Sequence, residues 1–157
     1  MNTMPPFSRP KPSPVARKTS QRSRRRDVRG RFVPAVASVD RGEPVLFVVS
    51  EMADFIKAGG LGDVAASLPR ALRGACDVRV LIPGYPEVLS RLRSIEVVGS
   101  VAPRGHLPAC RIGRAMQSDG LPIYVLLNGP LFDREGTPYV DHAGKEWKDN
   151  AIRFATL

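Results

Sequence analysis

The sequence predicts an α/β fold, a doubly wound and mostly parallel sheet, on three observations. Val45-Leu46-Phe47-Val48-Val49 is an unbroken β-branched and aromatic run, as expected for a strand covered on both faces. A glycine-rich stretch, Gly59-Gly60 and Gly62, leads into apolar positions at Leu61, Val64, Ala65, Leu68, Ala71 and Leu72, whose spacing marks one face of an amphipathic helix. Val78-Arg79-Val80-Leu81-Ile82 then reads as a second strand, closed by the turn Pro83-Gly84-Tyr85-Pro86. Strand, glycine loop, helix and strand in this order make a βαβ unit, which implies parallel pairing.

The remaining elements follow in chain order. Pro69 falls inside the expected helix, where it removes a backbone donor and crowds the preceding turn, so a kink or short break is expected there. Glu87 to Arg93 reads as a short helix, and Ile95-Glu96-Val97-Val98 and Ala109 to Met116 as shorter, antiparallel strands. Ile123-Tyr124-Val125-Leu126-Leu127 is the third clear strand. A loop rich in turn residues comes next, and Lys148 to Ala155 opens a final helix. Ile152, Phe154 and Leu157 call for partners that the sequence does not supply, so residues 43–157 are expected to be part of a domain, cut off before it closes.

The net charge of +9 on 157 residues is unevenly placed. Residues 1–42 carry eleven Lys or Arg against Asp27 and Asp40, while the rest of the chain balances its charges. The same segment holds Pro5, Pro6, Pro10, Pro12, Pro14 and Pro34 and no periodic apolar pattern, so it is expected to be a disordered basic tail. It lacks the apolar core of a secretory signal; an Arg- and Ser-rich composition fits an organelle transit peptide loosely. No run is long and apolar enough to cross a bilayer. Cys76 and Cys110 are too few for a disulfide scaffold or a zinc knuckle, and His106 and His142 have no ligand spacing, so no metal or cofactor is expected. A reducing compartment is the simplest reading: the cytoplasm, or a plastid if the tail is a transit peptide.

The chemistry is expected between Ser50 and Asp63, where the first strand gives way to its helix. Gly59 and Gly60 let the main chain approach a ligand closely, the helix N-terminus presents unpaired N–H donors, and Lys57 adds a full positive charge. These features suit a phosphate or pyrophosphate. The loop is neither the G-x-G-x-x-G fingerprint nor the G-x-x-x-x-G-K-[ST] phosphate loop, which argues against a dehydrogenase. Read without any further signal, the glycines are ordinary helix starters, the lysine a solvated surface charge, and Asp63 an acid favoured by the helix dipole. The basic tail raises a different class of function, a nucleic-acid- or polyanion-associated module, but no aromatic stacking residues accompany it.

Several spaced motifs decide between these. Ser50-Glu51, Lys57-x-Gly59-Gly60-Leu61-Gly62-Asp63-Val64, Leu68-Pro69 and Pro83-Gly84-Tyr85-Pro86 resemble the opening of retaining, ADP-glucose-using glycogen and starch synthases. So do Leu131-Phe132-Asp133-Arg134-x-Gly136-x-Pro138-Tyr139-x-Asp141 and Trp147-x-Asp149-Asn150-x-x-Arg153-Phe154-Ala155. Ala58 and Asp54 depart from the usual family residues, and 99–121 is less family-like. The resemblance implies an incomplete Rossmann-like N-terminal domain of a two-domain glycosyltransferase, with the donor bound in the cleft between the domains. It implies transfer of glucose from ADP-glucose to the non-reducing end of an α-1,4-glucan. Carried over residue by residue, it makes Lys57, Gly59, Gly60, Asp63 and Tyr139 the substrate-binding candidates. Trp147, Arg153 and Phe154 are expected to pack, and Glu51 to pair with a basic neighbour or help order the loop. Most of the family's catalytic groups lie past the position of Leu157, so residues 1–157 alone are expected to be inactive.

Overall fold

The computed structural model describes residues 42–157, so the expected tail, Gly42 apart, lies outside the described residues. The elements run β1 (Glu43–Val48), α1 (Gly60–Leu72), β2 (Cys76–Pro83), α2 (Pro86–Arg91), β3 (Glu96–Val101), β4 (Cys110–Met116), β5 (Pro122–Leu127), α3 (Gly129–Phe132) and α4 (Asn150–Thr156). The strands form one mixed five-stranded sheet in the order β1-β2-β5-β4-β3. β1, β2 and β5 are parallel, and β4 and β3 extend the sheet antiparallel, as the shorter strands were expected to do. The α/β architecture with a parallel centre is the one the sequence predicts.

The core lies on the two central strands. Val78, Val80 and Ile82 of β2 and Ile123 and Val125 of β5 are almost wholly buried. At about 1.5–3 kcal/mol for each side chain of this kind removed from water, these strands carry much of the driving force for folding. Among the described residues, no helix is long and apolar enough to cross a membrane.

Three expectations need correction. β1 is not covered on both faces: it is an edge strand whose Leu46 and Val48 are 55% and 46% exposed. Val45, Phe47 and Val49 turn to the core side, and an unbroken apolar run conceals that alternation.

The helix face was misassigned as well. Gly62, Ala65 and Pro69 are the buried residues of α1, while Leu61, Val64 and Leu68 stay 40–48% exposed. Small side chains here let the helix lie close to the core, so size and not hydropathy selects the buried stripe. Finally, of the kink or short break expected at Pro69 the break does not occur: α1 continues through it. The proline ring is itself a buried apolar group, and side chains reinforce the neighbouring turns. Ser67 Oγ donates to the Asp63 carbonyl at 2.9 Å, and the Arg70 guanidinium donates back to the carbonyl of Ala66.

Candidate functional site

Because β1, β2 and β5 are parallel, their carboxyl ends share one edge of the sheet, the edge at which open α/β sheets bind ligands. The loop from Ser50 to Gly59 leaves β1 there. Its base is fixed by apolar anchors: Met52 and Phe55 are buried, and the N–H groups of Phe55 and Ile56 both donate to the Met52 carbonyl at 2.9 Å. The Ala53 N–H donates to the carbonyl of Gly62 at 3.0 Å, tying the loop to the start of α1. A side chain at Gly62 would press on the Lys57 stem, 3.2 Å from its Cγ, so the bare backbone there lets the lysine lie over the helix start. The tip, Lys57 to Gly60, is exposed.

The Lys57 ammonium donates to the Asp63 carboxylate at 2.7 Å, with both side chains at least half exposed. An exposed pair of this kind is worth about 0–1 kcal/mol, so an incoming anion can take Lys57 at little cost. No side chain caps the N-terminus of α1, where Gly59 stands, which leaves first-turn N–H groups available. The glycine donors are only partly free, however. The Glu51 carboxylate, 2% exposed, accepts from the N–H of Ala58 and, at 3.1 Å, from that of Gly59. Of the two roles expected for Glu51, pairing with a basic neighbour or ordering the loop, these contacts are of the second kind.

Tyr139 reaches the same region from a distant loop. Its hydroxyl shares a 2.8 Å hydrogen bond with Ser50 Oγ, next to Glu51. The loop that carries it is built by internal bonds. Thr137 Oγ1 accepts from the N–H groups of Tyr139 and Val140, and Asp141 accepts from those of Ala143 and Lys145. Those backbone donors hold the Asp141 carboxyl below the usual carboxylate range. Gly136 sits at φ 128°, and a side chain there would strike the Val140 carbonyl 2.6 Å away.

Beneath this loop lies Arg153, 1% exposed. It donates to the carbonyls of Leu131 and Pro138 and to Asn150 Oδ1, each at 2.9 Å, and sits near the rings of Phe132, Trp147 and Phe154. Burial pushes its pKa below the ordinary arginine value. It packs, as the sequence reading expected.

The structure thus brings Lys57, Gly59, Gly60 and Asp63 together and ties Tyr139 to the strand end beside them. None of the five lines the cavity of about 660 Å³ that Gly84, Leu89, Val101, Ala109, Asn128 and Asp133 help to form. The tip of the glycine loop is instead exposed surface.

A parallel-centred sheet with a glycine-rich strand-to-helix loop, and a lysine beside it, defines the class: a Rossmann-like α/β domain whose ligand edge carries that loop. Residues 44–157 match the starch synthase catalytic domain family, and the chain belongs to that family. It is 63% identical over 140 residues to a glycogen synthase of Xanthomonas oryzae pv. oryzae, covering 85% of this chain and 27% of that protein. A glycogen synthase of Xanthomonas campestris pv. campestris is 69% identical over 112 residues, 71% of this chain and 24% of its own. One from Pseudomonas savastanoi pv. phaseolicola is 55% identical over 113 residues, 72% of this chain and 23% of its own. The chain therefore spans about a quarter of the length of these curated relatives. They lend no support to the nucleic-acid-associated module, and, being bacterial, none to a plastid.

Proposed function

We propose that residues 43–157 furnish the first part of the catalytic domain of a glycogen or starch synthase, acting in the cytoplasm. The donor is ADP-glucose and the acceptor the non-reducing end of an α-1,4-glucan. The bond between the glucosyl anomeric carbon and the diphosphate breaks, one to the acceptor 4-hydroxyl oxygen forms with the anomeric configuration retained, and ADP and the hydroxyl proton are released. In this reading Lys57 and the first turn of α1 face the diphosphate, whose negative charge grows as it leaves. Fixed positive groups at such a position act on the transition state more than on the bound donor. Gly59 and Gly60 give the donor room to approach, Asp63 holds Lys57 when no donor is bound, and Tyr139 lines the same crevice.

The observation that carries this reading is the exposed Lys57 ammonium beside the uncapped start of α1, at the carboxyl end of the first parallel strand. The 157-residue chain by itself is expected to be inactive, because one wall of a cleft cannot enclose the reacting groups.

The test is a hybrid in which residues 44–157 replace the matching segment of the Xanthomonas oryzae glycogen synthase. Glycogen elongation with ADP-glucose should be restored and should exceed that with UDP-glucose. Lys57→Gln should lower kcat/KM by about 100-fold, the scale seen when one transition-state donor is removed. A Lys57→Gln hybrid with unchanged KM and kcat would remove Lys57 from the site, and an active 157-residue chain would refute the division of labour.

A further inference from the structure

We infer that Glu51 is a positioning residue of the transferase site, one that holds the glycine loop open from behind. This rests on the donor-site reading of Lys57 given above.

Glu51 is a carboxylate with almost no exposure to water, two residues past the end of Val49 and seven before Ala58. Its Oε2 atom accepts from two successive backbone amides, those of Ala58 and Gly59. Charge-assisted bonds to backbone N–H groups are among the stronger hydrogen bonds available to a protein. The rest of the loop explains why one is needed here. Met52 and Phe55 anchor its base in the core, and Ala53 ties that base to Gly62, but residues 57–60 carry no apolar side chain into the interior. The helix start has a glycine at its cap position and so cannot cap itself. Glu51 is the side chain that grips this tip from below.

The grip has a directional consequence. With the Ala58 and Gly59 amides turned inward onto Glu51, the Lys57–Ala58 and Ala58–Gly59 peptide units are fixed just after Lys57, whose stem lies over Gly62 and whose ammonium meets Asp63. The amides at the start of α1 are left facing out. Removing the carboxylate leaves two inward-facing N–H groups without a partner. Turning them to water rotates the Lys57–Ala58 unit, which helps to aim Lys57. Glu51 therefore acts on the donor through Lys57, without touching it. Ser50 adds a second tether at this point: its bond to Tyr139 joins the strand end to the opposite loop.

The experiment combines kinetics in the hybrid synthase with amide exchange in the 157-residue chain. Glu51→Ala should lower kcat/KM for ADP-glucose by tenfold or more. Glu51→Gln, which keeps an acceptor oxygen in place, should recover most of that loss, whereas Glu51→Asp, charged but one methylene short, should not. The double variant Glu51→Ala/Lys57→Gln should be no worse than Lys57→Gln alone. In the chain, the Ala58 and Gly59 amides should exchange at least tenfold faster in Glu51→Asp than in the parent or in Glu51→Gln. Losses that multiply in the double variant would overturn the proposal, since a side chain that merely stabilises the fold behaves in that way. Unchanged exchange at Ala58 and Gly59 would overturn it through the loop contact. An unimpaired Lys57→Gln would overturn it through the donor-site reading, and the exchange data tell these two failures apart.

Discussion

Lys57 and Arg153 each bring a positive charge to the loops at the carboxyl end of the sheet, in regions built on opposite principles. Arg153 is wholly buried, its guanidinium filled by two carbonyls and an amide oxygen that fix the segment from Leu131 to Asn150. Lys57 is half exposed and holds one carboxylate, which competing solvent or an anion can displace. A buried, fully bonded cation defines shape; an exposed cation with a single partner stays available for chemistry. Charge alone does not separate the two roles, whereas burial and the kind of acceptor do.

The contrast can be broken most severely at Arg153. Replacing it with Met leaves the Leu131 and Pro138 carbonyls unpaired in a dry site, and chemical denaturation should show a loss of about 3 kcal/mol or more. A loss near zero would mean that the region is not clasped as described. A smaller effect is expected at Asp149, held by two bonds from Arg134 at 2.9 and 2.6 Å. The Arg134 hydrogen bonds lower the Asp149 pKa in the folded chain. Its contribution to stability is therefore full above the ordinary carboxylate value near pH 4 and disappears as pH falls below it. Asp149→Asn should flatten that part of the stability curve, by about 1 kcal/mol at most. Lys57→Gln sharpens the comparison from the other side: it should shift stability by less than about 1 kcal/mol, however strongly it affects transfer.

The order of elements was legible because β-branched runs, glycines and turns mark them directly. Val78 to Ile82 reads as a central strand and is one: Val78, Val80, Leu81 and Ile82 are buried, and only Arg79, the polar residue of the run, stands exposed. The same signal at Val45 to Val49 misleads, because hydropathy does not record whether a neighbour is present to cover Leu46 and Val48. Helix α1 fails for a related reason. Its buried stripe is made of Gly62, Ala65 and Pro69, and a pattern that counts large apolar residues looks past it. In the site, Lys57 and Asp63 lie six positions apart and meet in space, so short-range spacing brings them together. The Ser50–Tyr139 bond spans 89 positions, and no local rule reaches that far. Glu51 was expected to pair with a basic neighbour or to help order the loop; it bonds to the loop backbone, and because backbone amides carry no sequence signal nothing in the residues chose between the two.

The outer rim of β1 has a practical consequence. Among the described residues no strand pairs along it, and Leu46 and Val48 stand exposed there. Such a rim templates the addition of further strands from other molecules. Light scattering from solutions of this chain should therefore rise steeply with concentration, and a charged residue in place of Leu46 should suppress that rise without disturbing the centre of the sheet.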